Sequence, residues 1–224
     1  LLPPENAVLD ATDLGYAAVG GLAQGVNIAG YFRAELGIDE AARLLTSAVD
    51  AAGIPHSTVA YDATASRKAH PYMERGDGSA PYDTNIVCVN ADRTPDFVKD
   101  AGRGFFTGRY TIGYWFWELE NFPPFMHAGF DCVDEVWTAS RFVASGIRAV
   151  GRRPVYTVPL PVQVPRCSPN VTRASLRLPP GFMFLFIFDF FSIVERKNPT
   201  GVIKAFARAF RPGRARGSGC AASS

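Results

Sequence analysis

The sequence predicts an α/β fold, a parallel sheet with helices on both sides. Three observations predict it. Short apolar runs alternate with helical patterns along most of the chain. Most of these runs are apolar on both faces rather than at every second residue, which marks strands buried on both sides. Helix-start signals follow several of the runs, as they do where a strand passes the chain to a crossover helix.

Taken in order, GVNIAGYF (25–32) is bounded by glycines and predicts the first strand. RAELGI then leads to a helix that Asp39 is suited to cap, with Ala41, Leu44, Leu45, Ala48, Val49 and Ala52 on one face. Gly53 and Pro55 end it. STVAYD (57–62) predicts a second strand, and the polar segment 63–81 a mobile loop. TNIVCVNAD (84–92) predicts a third strand, after which Thr94 and Pro95 form a cap and first-turn pair for a short helix. YTIGYWFWE (110–118) and EVWTAS (135–140) predict further strands, separated by a short helix in FPPFMHAGF. Ser140 caps the next helix, whose face is Phe142, Val143, Ile147 and Val150, and VYTVPLPV (155–162) closes the series. The sum is a Rossmann-like domain over 25–162, behind a lead-in or linker at 1–24.

The Pro-rich stretch that follows reads as a connection between domains, 163–181. Beyond it FMFLFIFDF predicts a strand, and Asn198 caps a helix with Pro199 at its first position. Val202, Ile203, Phe206 and Phe210 form its apolar face. Residues 182–210 are therefore expected to be the first strand–helix unit of a second domain, one that cannot cover its own strand. The tail RPGRARGSGCAASS (211–224) has no apolar periodicity and is expected to be irregular.

Composition narrows the function. A chain of 224 residues, 47% hydrophobic and 20% charged, holds a globular core: one sizeable domain, or a domain and a fragment. The net charge of +2 supplies no basic face, so no nucleic-acid partner is expected. The longest apolar run, FMFLFIF, is far short of the roughly 18–20 residues that span a bilayer. Cys88, Cys132, Cys167 and Cys220 are scattered without metal spacing, which predicts buried free thiols in a cytoplasmic protein. His56, His70 and His127 also lack metal spacing, so no metal is expected.

Three places carry residues suited to chemistry. In YFRAELGID, Gly37 would let the backbone approach a phosphate at a helix N-terminus, although no GxGxxG is present. In YWFWELENF, Glu118 and Glu120 follow Trp115 and Trp117; aromatic faces beside carboxylates suit a carbohydrate, and apolar surroundings would raise a carboxyl pKa for proton transfer. Arg196 and Lys197, just before the helix capped by Asn198, make an anion site. Each also has a plain structural reading, as loop, core aromatic or solvated surface charge.

With these residues in view, the sequence resembles the group 1 glycosyltransferases (family 4, the two-domain GT-B fold). The resemblance covers about residues 25–210 and rests on ordered blocks: GYFRAELGIDEAARLL, GYWFWELENFP, DEVWTASRFVASGI, VPLPV and FDFFSIVERKNPTGVIKAFARAF. It implies two Rossmann-like domains across a cleft, the first binding acceptor and the second a nucleotide-diphosphate sugar, with transfer that retains configuration and uses no metal or other cofactor. By position, Lys197 resembles the family's diphosphate-binding Lys. The family's preceding Arg falls near Ser192, which leaves Arg196 as the substitute. Gly37 resembles the glycine that lets the first loop approach the donor phosphates. Glu118 lies where the acceptor-side cleft is expected and is the catalytic candidate; Glu35, Trp117 and Glu120 join it as acceptor-binding candidates. The family's strand-end His has no match, and Asn90 and Asp92 stand there instead.

The family's C-terminal domain continues well past the AFARAF helix and carries a pair of donor-binding glutamates. That departure leads to the expectation of a truncated product. The implied partners are a nucleotide-sugar donor and a glycan or lipid-linked acceptor, the last leaving room for peripheral membrane contact. Two alternatives stand beside this one: a catalytically inactive acceptor-binding domain left by truncation, and a GT-B-type sugar-nucleotide epimerase.

Overall fold

A computed structural model of the protein describes residues 21–35, 37–64, 66–162, 164, 166–188 and 194–210. Its first unit, Leu1–Gln163, holds six strands: β1 (Ala23–Gly30), β2 (His56–Ala60), β3 (Tyr82–Cys88), β4 (Tyr110–Tyr114), β5 (Glu135–Thr138) and β6 (Val155–Thr157). They form one sheet in the order β2-β1-β3-β4-β5-β6, and every neighbouring pair is parallel. This is the Rossmann-like α/β architecture that the apolar runs predict. Each strand ends earlier than its apolar run, because the residues beyond it turn away from the sheet to start crossovers.

The order follows from which face each connection takes. Helix α1 (Gly37–Ala51) joins β1 to β2, and its Ala41, Ala42 and Leu45 pack with Ile28, Ile86 and Cys88. Helices α2 (Thr94–Ala101) and α3 (Arg103–Phe106) join β3 to β4, and their Phe97 and Phe105 pack with Ala29, Val87 and Val89. Successive strand residues point to opposite faces, so Ile28 and Ala29 put α1 on one side of the sheet and α2 and α3 on the other. A 3-10 segment (Pro124–Cys132) and α4 (Arg141–Arg148) follow on the α2 side, where Met126, Phe130, Ala144 and Ile147 pack with Val136 and Val155. Right-handed crossovers on opposite faces carry the chain in opposite directions, and the reversal falls between β1 and β3.

Several local expectations are corrected. Asp39 lies inside the first turn of α1, fully buried, because the helix starts at Gly37. Thr94 does not cap α2; its hydroxyl donates to the carbonyls of Val89 and Asn90, each at 3.0 Å. The Ser140 cap holds, with its Oγ accepting from the Val143 N–H at 3.3 Å. Of the cysteines Cys88 is buried, but Cys132 is half-buried and Cys167 exposed. Segment 63–81 is irregular, and it is tied back onto the domain: Tyr72 stacks on Phe32 at 4.4 Å and Arg75 N–H donates to Thr58 Oγ1 at 2.8 Å.

The second unit, Val164–Ser224, contains α5 (Val194–Lys197) and α6 (Pro199–Ala209). Asn198 caps α6 in a left-handed conformation, its Oδ1 accepting from Gly201 N–H at 3.1 Å. The expected strand is not seen at 182–188, which carry no regular secondary structure. Phe184 packs instead against Phe206 and Phe210 of the helix region, at 5.7 and 5.4 Å. A strand needs a neighbour to satisfy its backbone, and among the described residues this unit offers none. The lead-in at 1–20 and the tail at 211–224 lie outside the described residues.

Candidate functional site

Ligands of open α/β sheets sit beyond the carboxyl ends of the strands where the order reverses. Here that point lies between β1 and β3. Tyr31, one residue past β1, is buried there. Burial pushes its phenol pKa up, the nearby Arg93 pulls it down, and the carboxylates of Asp92 and Asp39 add to the rise. A phenol past β1 and a guanidinium past β3 therefore meet at the reversal, within the field of the Asp92 and Asp39 carboxylates. The rise prevails, so Tyr31 stays protonated at neutral pH, with its hydroxyl oxygen accepting from the Arg93 side chain.

The loop after β1 is held from several sides. Arg43 of α1 donates to Phe32 O at 2.8 Å and Ala34 O at 3.4 Å. Arg33 pairs with Asp62 at 2.9 Å and also with Glu74. Glu35 is exposed; its backbone N–H donates to Arg67 O at 3.1 Å, and its carboxylate lies 3.7 Å from the Arg67 guanidinium. Gly37 opens α1 with free space where a Cβ would stand, so packing does not demand a glycine there.

The neighbouring β4 block shares this edge. Asn90 Oδ1 accepts the Phe116 N–H at 2.8 Å, binding the end of β3 to the end of β4. That structural bond accounts for Asn90. Trp115 is fully buried, 5.2 Å from Phe130 and stacked on Phe122, so it belongs to the core. Trp117 is half-buried, donates Nε1–H to Asn121 O at 2.7 Å, and meets Phe125 edge-on at 6.1 Å. Glu118 and Glu120 are both exposed. The described residues do not enclose these carboxylates in apolar surface: the indoles turn toward the core, and Glu118 and Glu120 are exposed.

Arg196 and Lys197 close α5, immediately before the N-terminus of α6. They belong to the second unit, whereas Glu35, Gly37, Trp117, Glu118 and Glu120 belong to the first. Sequence reasoning missed Tyr31, Asp39 as a buried carboxylate, and Arg93. The available signal was position: each lies at or just past the end of a predicted strand or opens a predicted helix. Among the described residues no group of three or more His, Cys, Asp or Glu side chains is placed to hold a metal ion. Nor is any helix among them long and apolar enough to cross a membrane.

Compared with known protein families, with curated proteins and with solved structures, the chain matches none.

Proposed function

We propose that the chain is the acceptor-side part of a retaining glycosyltransferase, which moves a sugar from a nucleotide-diphosphate donor to a glycan or lipid-linked acceptor in the cytoplasm. One observation carries the reading. The block around Gly37 and the block around Glu118 follow β1 and β4 at a single carboxyl edge of the sheet, where ligand crevices of this architecture lie. Asp92 and Arg93, exposed just past β3, offer what a polyhydroxylated acceptor needs, a carboxylate for hydroxyl protons and a guanidinium for a phosphate.

In this reading Gly37 admits the donor phosphates at the N-terminus of α1. Glu118, with Glu35, Trp117 and Glu120, lines the acceptor side. The test is calorimetry and a radiolabelled-transfer assay on the full chain, with a panel of nucleotide sugars and of glycan and lipid-linked acceptors. Acceptor binding weakened by Asp92→Asn and donor binding weakened by Gly37→Ala are the expected results. A chain that binds no donor and no acceptor would sink the proposal.

The absence of a strand at 182–188 favours a second reading, an acceptor-binding domain without catalysis of its own. It requires glycan binding with no nucleotide-sugar binding. A micromolar nucleotide-sugar affinity would exclude it.

A further inference from the structure

The sheet face opposite α4 carries an aromatic and acidic group that the switch-point crevice does not use. Val136 and Val155 point into the cluster under α4, so their strand neighbours Glu135, Trp137 and Tyr156 share the other face. Trp137 is the register partner of Tyr156 on β6 and of Tyr114 on β4. Glu135 is gripped from two sides: Tyr110 donates its hydroxyl to Oε2 at 2.9 Å, and Trp137 donates Nε1–H to Oε1 at 2.6 Å. Tyr110 and Tyr156 are 40% and 51% exposed, and Glu135 and Trp137 are half-buried. Helix α1 packs on this face over β1, β2 and β3, and Trp137 borders its cluster together with Phe116, Val158 and Leu160, which leaves Tyr156, Tyr110 and Glu135 at the open margin.

We propose that this face is a carbohydrate-binding platform, separate from the switch-point crevice, for a glycan of hexopyranoses with equatorial hydroxyls. Charge complementarity picks the occupant. The faces of Trp137 and Tyr156 carry the negative side of an aromatic quadrupole. Pyranoses with equatorial hydroxyls expose axial C–H groups on their faces, partly positive and apolar. A carboxylate has about four lone-pair sites, so Glu135 can accept sugar hydroxyls while Tyr110 and Trp137 hold it still. Its fixed orientation lowers the ordering cost of binding. Strands in a sheet lie about 4.8 Å apart, so the partners Trp137 and Tyr156 stand side by side. Aromatic residues on neighbouring strands suit a ribbon-like chain, whereas an ammonium ion requires an enclosing cage. The inference does not depend on sugar transfer.

Affinity electrophoresis of the full chain tests it, in native gels cast with hydroxyethylcellulose, laminarin, glycogen or no polysaccharide. The β-linked hydroxyethylcellulose or laminarin should retard the protein relative to a non-binding standard. Tyr156→Ala and Glu135→Gln should each weaken that retardation roughly three- to tenfold while leaving the melting midpoint in place. Phe142→Ala, at an exposed position on α4, should leave it unchanged. Retardation in none of the gels, or retardation that survives both variants, overturns the proposal. So does a dimer in sedimentation that Tyr156→Ala disperses, because the face would then cover a second copy. An unsubstituted chain that transfers sugar from a nucleotide sugar but is retarded in none of the gels would overturn this inference alone.

Discussion

Asn27 donates its side-chain amide to Asn85 Oδ1 at 2.9 Å across β1 and β3, and both residues are fully buried. The pair is the centre of a longer row. Ser57 Oγ donates to Asn27 Oδ1 at 3.3 Å from β2, and Asn85 Nδ2 reaches Thr111 Oγ1 at 3.4 Å on β4 and Phe105 O at 2.9 Å. These four residues are register partners across four strands. A slip of one residue would turn the amides to the other face and leave buried polar groups unpaired, so the row specifies register. Asn27→Leu is expected to cost about 1–3 kcal/mol in urea unfolding, because Asn85 loses its donor in a dry site. The double variant Asn27→Leu with Asn85→Leu should lose less than the sum of the two.

Gly146 is a test of close packing. A Cβ there would lie 2.4 Å from Glu120 O, which presses the loop after β4 against α4. Gly146→Ala is expected to destabilise by about 1–3 kcal/mol. It should also shift the amide resonances of 118–121 more than those of β1. Resonances that move only on α4 would show the loop is not held this way.

The segment after β2 is anchored by charges that are partly exposed: the Arg33 side chain is 40% exposed, with Asp62 at 46% and Glu74 at 29%. Such pairs add little global stability. Arg33→Ala should therefore leave the unfolding midpoint nearly unchanged while speeding proteolysis and hydrogen exchange within 62–81. The Phe32–Tyr72 stack is the second anchor, and Tyr72→Ala added to Arg33→Ala should release the segment further.

Cys88 is expected to resist thiol reagents at pH 8 until the protein unfolds, while Cys167 reacts at once; peptide mapping by mass spectrometry checks both. Burial pushes the Cys88 thiol from 9.0 up to about 12. The folded state then holds its proton where the unfolded state has lost it. The stability from this group is complete below pH 9 and declines as pH rises toward about 12. Burial raises Tyr114 in the same direction, extending the decline above pH 10. Urea midpoints at pH 8, 9.5 and 10.5 should fall in that order, and Cys88→Ala should flatten the first step.

The sequence by itself determined the class of fold, because that depends on patterns within a few residues of one another. Runs such as Ile86, Val87 and Cys88 are apolar throughout, so both faces of the strand had to be buried, and a parallel sheet followed. The Ser140 and Asn198 caps were equally local, each a side chain meeting an N–H three residues on. Tertiary structure alone decided what depends on distant partners. Strand order set where the chain reverses, and so gathered Tyr31, Asp39, Asp92 and Arg93 from residues far apart in the chain. The direction of the Trp115 indole was likewise decided by packing: Gly113 and Phe130 draw it inward, while Glu118 stays exposed. Asn27 is a polar residue within an apolar run, and only the pairing of β1 with β3 brings Asn85 beside it. The stretch 182–188 has a strand's composition, but a strand is completed by its neighbours, and no pattern within the segment can supply them.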